Sequence, residues 1–570
     1  MTPTDREPPG SSTPGLPGTL TRLRGELAQP RGMQRVEALL SADEPAAAVA
    51  ALSAPELFEL VTQVGFADTQ ELIALATPAQ LRGCLDLDGW DRDRLLVDPL
   101  KPWLAAVVEV GFEKVGQVWA ALDPELRALF VQRHARVVDL SLGEEPDETV
   151  ERPWYYTTDG YFCLEQTGDE DTNRLVRAVL DDLYRADPAL ARHTLMAARS
   201  EPPTELEEQA YRWRSGRMAD LGYVDFHDAL ELFAPLEPDK VVIGEGTAED
   251  FGQVIDDDAA DAAPRALPAT IAGEVVARSF LARALERIDD PAEGQRLQTA
   301  LLVLTNKLLS AARVRPGDLE ALRRGAGYAA STVSLGLEVI ARGDVARAAA
   351  ALTSVSLTRL HRVGYTVTLK LARLARGLVV GAVTAGPPAA AVVEALVALR
   401  PWMSRELDQP PARGVRPFES QADVRRVAEV LARLTVRIAV AESLGVDLPA
   451  IARLPEPRPQ LDDHVRTALV RAMAGAVPSP APLTATELRT FRATAFAPGA
   501  ATLRDDVAER AHALIARWLD AGGVRGGHDQ LPGLLAGWLG DLERAFGPLA
   551  AGQEIDGRFV DGVLVAATRS

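Results

Sequence analysis

The side chains best suited to chemistry cluster between Thr204 and Pro238, where Tyr211, Arg212, Trp213, Arg214, Arg217 and His227 fall within two predicted helices. Guanidinium groups fork onto carboxylate and phosphate and stack on flat rings. Tyr211, Trp213, Arg214 and Arg217, joined by Tyr161 from upstream, could therefore hold an anionic or planar ligand, with His227 as the candidate acid or base. The alternative is structural. Glu207, Glu208 and Asp220 lie within helical reach of the arginines and could neutralise them in a buried network, with Trp213 filling a domain junction.

A second cationic group follows at Arg359, Arg362, Lys370, Arg373 and Arg376, one stripe of a predicted helix whose seam is Leu357, Leu360, Gly364, Val367, Leu371, Leu374 and Leu378. It suits an anionic partner, whether acidic protein, phosphate or RNA. The alternative is a solvated helix face, the normal place for a charge stripe, or one docked on the acidic first half. A helix over 420–443 repeats the pattern, with Val424, Val427, Leu431, Leu434 and Ile438 inside and Arg425, Arg426, Arg433 and Arg437 outside.

Other chemistries fail on inspection. DLDGWDRD, from Asp86, places Trp90, Asp91 and Val97 where a calcium loop needs an oxygen ligand, glycine and glutamate. It reads instead as a turn whose acids cap the next helix and whose Trp90 is an anchor. VVIGEG lacks the third glycine of a dinucleotide loop, no lysine follows a glycine as in a Walker A loop, and no GxSxG or HExxH occurs. Cys84 and Cys163 are too few for a zinc knuckle or a disulfide framework. No cofactor or metal is expected.

The elements that must carry these residues are legible from start and stop signals. Thr204 with Glu207 reads as a capping box and Gly222 as the left-handed stop; Asp225 and Asp228 start a second helix that Pro235 ends. Ser53 with Glu56, Thr77 with Gln80, Asp98-Pro99 and Asp123-Pro124 mark helix starts 24, 21 and 25 residues apart, the spacing of a short-helix repeat array. WYYTTDGYFCLEQ, Trp154 to Gln166, predicts a hairpin with a type I′ turn at Asp159-Gly160, its aromatic face lying on the helix that bears Tyr211 and Trp213. Thr484 with Glu487 opens a C-terminal helical segment anchored by Trp518 and Trp538.

WRSGRMADLGY, with EEQAY before it and FHDALELFAP after it, resembles the signature of an uncharacterised bacterial family known as a domain of unknown function. QLRGCLDLDGWDRDRL, LTNKLL and LTRLHRVGYTVTLKLARLAR fit the same family, from about Ala50 to the C-terminus. The resemblance implies no activity, cofactor or catalytic residue. LDPELRALFVQ and LSAPELFELVTQ are also similar to the superhelical intracellular N-terminal domain of bacterial magnesium transporters, which implies a shape and no magnesium chemistry.

Composition bounds the rest. The 570 residues can bury a large core. Net charge is −20, with residues 1–262 at −27 (23 basic, 50 acidic) and 263–570 at +7 (38 basic, 31 acidic), which disfavours nucleic-acid binding by the whole chain. No signal core, no long apolar run and two cysteines point to a cytoplasmic protein without membrane insertion. The expected fold is mainly α, multi-helical: a disordered tail over 1–32, a short-helix repeat domain over 33–142, a hairpin and helical module over 143–238, an acidic linker over 239–268, a helical domain with basic stripes over 269–454, a proline-rich connector over 455–483 and a helical segment over 484–570. The expected role is a non-catalytic scaffold or regulator with a protein partner; the alternatives are an enzyme or small-molecule sensor centred on 154–238, or RNA binding by the basic half.

Overall fold

A computed structural model describes residues 32–146, 149, 152–244, 279–523, 526–549 and 560–566; nearly all of the expected tail and most of the expected acidic linker lie outside them. The architecture is mainly α, with small antiparallel sheets. The chain divides into two compact units, Met1–Arg362 and Val363–Ser570.

The first unit opens with α1 (Gly32–Leu40), α2 (Pro45–Ala50), α3 (Ala54–Val64), α4 (Gln70–Leu75) and α5 (Pro78–Asp88). Reciprocal boxes start α3 at Ser53 and α5 at Thr77, where each hydroxyl accepts from the third helical N–H while Glu56 or Gln80 reaches back. A short hairpin, β1 (Trp90–Asp91) and β2 (Arg94–Leu95), leads to α6 (Leu100–Val110), α7 (Phe112–Ala121) and α8 (Pro124–His134). Pro99 precedes the first turn of α6 rather than occupying it. The anticipated starts enclose unlike contents: α3 and α4 in the first interval, α5 and the hairpin in the second, α6 and α7 in the third.

Strand β3 (Ala135–Asp139) follows α8 directly, and β4 (Trp154–Tyr156) and β5 (Phe162–Gln166) form the anticipated hairpin. The sheet order is β3-β5-β4, so the hairpin is two thirds of a three-stranded sheet, with Leu164 facing both Val137 and Tyr155. Its turn is not type I′. Only Gly160 takes positive φ, at +72°, and Thr157 N–H pairs with the Phe162 carbonyl, which leaves residues 158–161 to make the reversal.

Next come α9 (Glu170–Ala186), α10 (Pro188–Ser200), α11 (Pro203–Asp220) and α12 (Phe226–Ala229), with Asp169, Asp187 and Asp225 accepting backbone N–H bonds at three of the starts. Thr204 caps nothing, because Pro203 holds the first helical position and Thr204 already lies inside the turn. Gly222 ends α11 at φ +88° as its position requires. One hydrophobic core runs from Val36 to Met218, with Trp90, Trp103 and Trp119 fully buried in it. Helices α13 (Phe280–Leu285), α14 (Pro291–Ala311), α15 (Leu319–Ala341) and α16 (Val345–Ser354) complete the unit.

The unit boundary falls inside α17 (Leu357–Arg376). Leu357, Leu360, Gly364 and Leu371 of its seam are buried, whereas Leu374 is 62% exposed. The second unit continues through α18 (Val379–Ala385), α19 (Ala389–Val397), the pair β6 (Met403–Ser404) and β7 (Val415–Arg416), α20 (Gln421–Ser443), α21 (Leu448–Ala452), α22 (Leu461–Met473), α23 (Ala485–Ala495), α24 (Asp505–Ala521) and α25 (Leu531–Phe546). Val427, Leu431 and Leu434 of α20 face inward; Arg437, expected outside, forks onto Asp462 at 2.8 and 2.9 Å. Thr484 and Glu487 form the anticipated box, and Trp538 is buried.

Candidate functional site: an arginine clamp and an open cleft

Helix α11 buries Leu206, Ala210, Arg214 and Met218, residues four apart that share one stripe. That choice of face determines what the arginines do. Arg217 Nε and Nη2 donate to the two oxygens of Asp86 at 2.6 and 2.9 Å, and its Nη1 and Nη2 donate to the two oxygens of Asp123 at 3.0 and 2.7 Å. The guanidinium is thus doubly bidentate, the strongest geometry open to it. Asp86 is buried near the C-terminal end of α5, and Asp123 stands at the start of α8, where its side chain makes no cap.

Burial works against the charge of Arg217, but the hydrogen bonds it donates to Asp86 and Asp123 outweigh it and hold its pKa above the ordinary arginine value. Burial is the larger influence on Asp86 and raises its pKa despite Arg217. One turn earlier, Arg214 donates from Nε to the Asp86 carbonyl at 2.8 Å, one of the carbonyls a helix C-terminus leaves unpaired, and lies 5.4 Å from the Trp90 ring. Tyr211 meets the same ring at 6.0 Å. Glu207 reaches the Leu95 N–H at 2.8 Å and Arg133 at 3.1 Å. The neutralising acids expected within α11 are therefore replaced at Arg217 by Asp86 and Asp123; only Arg212 takes its local partner, Glu208, at 2.5 Å.

The six expected ligand-binding residues do not converge. Tyr211, Arg214 and Arg217 join the clamp, while Trp213 is 59% exposed and fills no junction. His227 is exposed beside Phe226. Tyr161 stands on the sheet's turn, where Arg192 of α10 covers its ring at 4.8 Å. The acids of DLDGWDRD cap no helix: Asp86 belongs to the clamp, and Asp88 accepts the Trp103 indole N–H at 3.1 Å.

Tyr161 instead lines an open cleft of about 380 Å³ between α10 and the end of the sheet. Leu142, Tyr161 and Met196 form its apolar part and are 67%, 46% and 55% exposed. Arg192 and Arg199 flank them. Arg192 donates to Asp159 at 2.7 Å, and Arg199 pairs with Glu144, whose carboxyl this bond brings down to about 2. Arg192, Met196 and Arg199 recur every three to four residues along α10, a pattern visible in sequence; their meeting with Leu142 and Tyr161 is not.

The second cationic stripe is divided. Arg362 donates to the Ala234 carbonyl at 2.9 Å and Arg359 to that of Lys240 at 3.3 Å, whereas Lys370, Arg373 and Arg376 are exposed. Among the described residues no group of three or more His, Cys, Asp or Glu side chains is arranged to hold a metal ion. No described helix is long and apolar enough to cross a membrane.

No curated protein and no solved structure matches the chain. A family of unknown function, DUF6178, matches residues 17–566, beginning ahead of the resemblance traced from about Ala50. With nearly its whole length covered, the chain belongs to the DUF6178 family.

Proposed function

We propose that this chain is a non-catalytic, cytoplasmic interaction protein, a scaffold or regulator, and that the cleft between α10 and the sheet is where a protein partner docks. The observation that carries this reading is the exposure of Leu142, Tyr161 and Met196 together, flanked by Arg192 and Arg199. Tyrosine, methionine and arginine are the residues in which interface centres are enriched, and exposed apolar groups with polar flanks are their usual setting. Two buried thiols suit a reducing compartment. The likeness of the first helices to a superhelical transporter domain belongs to this reading as a statement of shape: stacked short helices presenting a surface.

A second reading, a small-molecule sensor, draws on the cleft's volume, which falls within the range of ligand pockets. Tagged purification from the native host, comparing the natural chain with Met196→Glu, tests the first. A protein that co-elutes with the natural chain and is lost from the variant supports it. Identical co-eluting proteins from both would sink it, and elution of the natural chain alone would turn attention to a small ligand.

A further inference from the structure

Helix α17 leaves the core along one face near its end. Lys370, Arg373, Leu374 and Arg376 are exposed there, while Leu371, Ala372 and Ala375 are buried. At about 100° per residue the four exposed positions span one continuous arc of the helix. Helix α18 follows after Gly377 and Leu378 and repeats the arrangement: Val379, Val380 and Val383 share one face and are 40%, 44% and 37% exposed, whereas Gly381, Ala382, Thr384 and Ala385 are buried. Leu374, five residues before Val379, is exposed to 62%. At the edge of the valine face Arg458 pairs with Glu456 at 3.0 Å and donates to the Val383 carbonyl at 3.5 Å.

Along the chain the charge of this stretch is one-sided, and the acid at the surface's edge, Glu456, is held by Arg458. In a chain with 81 acidic residues, none occurs between Asp344 and Glu394. Exposed valines and leucine close in sequence to exposed cations, with no acid along the same stretch, suit an occupant that is both apolar and anionic. Protein hot spots are enriched in Trp, Tyr and Arg and depleted in Leu and Val, so four aliphatic side chains without an aromatic are a poor protein anchor. They suit the boundary between lipid headgroups and acyl chains, where buried aliphatic area and the attraction of Lys or Arg to anionic headgroups act together. The net charge of −20 does not forbid this, because at physiological salt a charge is screened beyond about 8 Å.

We propose that the surface formed by the end of α17 and the exposed face of α18 rests on an anionic lipid bilayer. Leu374, Val379, Val380 and Val383 enter its interfacial layer, and Arg373 and Arg376 meet its charge. Contact is peripheral and reversible, and it is independent of the cleft in the first unit.

The test is co-sedimentation of the full chain with vesicles of phosphatidylcholine alone or with a quarter phosphatidylglycerol. Binding to the anionic vesicles only, weakening as salt is raised, is expected. Val380→Glu should lower partitioning at least tenfold, and the double variant Arg373→Gln, Arg376→Gln by roughly 25-fold, since each basic residue near such a surface contributes about a factor of five. Leu142→Glu, on the other unit, should bind as the natural chain does. Absence of binding to anionic vesicles overturns the proposal, as does equal binding to both compositions. Undiminished binding by the double arginine variant also overturns it, and this outcome stands even if Val380→Glu fails to fold. Capture of an acidic amphipathic Glu/Leu helical peptide with no vesicle binding would make the surface a protein site and likewise refute it.

Discussion

Replacing Arg217 by methionine removes the group that binds Asp86 and Asp123 together while keeping most of the apolar stem. Asp86 and Asp123 side chains are 3% and 12% exposed, so neither recovers full hydration, whereas Arg217 at 24% is partly open to water. Removing one partner of a buried pair costs about 3 to 5 kcal/mol, and the partial exposure of Arg217 places the loss near about 3 kcal/mol. The loss should depend on pH. Burial already raises the Asp86 pKa, and Arg217 is its principal opponent, so the variant raises it further. A native carboxyl that keeps a proton the unfolded chain has released makes stability fall as pH rises. The variant's deficit should therefore be largest near neutral pH and narrow as pH falls toward the ordinary aspartate range. Urea unfolding of both proteins across this interval measures it, and the double variant Asp86→Asn, Arg217→Met should recover part of the loss, because no charge is then left buried at Asp86. A deficit below about 0.5 kcal/mol at neutral pH, typical of a surface change, would refute the clamp as a structural element and return Arg217 to the ligand-binding candidates.

Two further outcomes follow from local geometry. Gly222→Ala combines φ +88° with a Cβ that would lie 2.7 Å from Val303 Cα, so it should lose about 2 kcal/mol or more in the same urea experiment, and an unchanged midpoint would mean that the turn is not built this way. His134 is buried against Phe130, and burial, aided by the charge of Lys101, brings its pKa from 6.5 to about 4. The unfolded chain then takes up the proton first, so stability should fall as pH drops through that window; His134→Phe should flatten this slope, and an equal slope in both proteins would contradict the assignment.

Much of the fold was legible because helix starts are written locally. The boxes at Ser53, Thr77 and Thr484 and the left-handed stop at Gly222 depend on residues within a few positions of one another, and all are formed. Where two local signals competed, sequence alone misjudged the winner: Pro203 took the first helical position and left Thr204 without a capping role. Strand β3 was missed because ARVVD follows α8 without a turn signal, and its partner β5 lies more than twenty residues away. The type I′ turn failed for a related reason. Asp159 turns its carboxylate to Thr157 at 2.7 Å and to Arg192, and residues 158–161 form a longer reversal.

The candidate site divides along the same line. Sequence by itself determined the mainly α class, several helix starts, the concentration of arginine and aromatic residues in α11, and the charge of the end of α17, because these follow from periodicity, capping and composition. Tertiary structure alone decided which face of α11 turned inward. With Leu206, Ala210, Arg214 and Met218 buried, Arg217 came within reach of Asp86 and Asp123, carboxylates 131 and 94 residues away, while Trp213 was left in solvent. A guanidinium takes the carboxylates that packing brings into its plane, and packing is a property of the whole core rather than of helical reach. The same holds for the cleft, where Leu142, Tyr161 and Met196 become one surface only because β3, the hairpin turn and α10 end side by side.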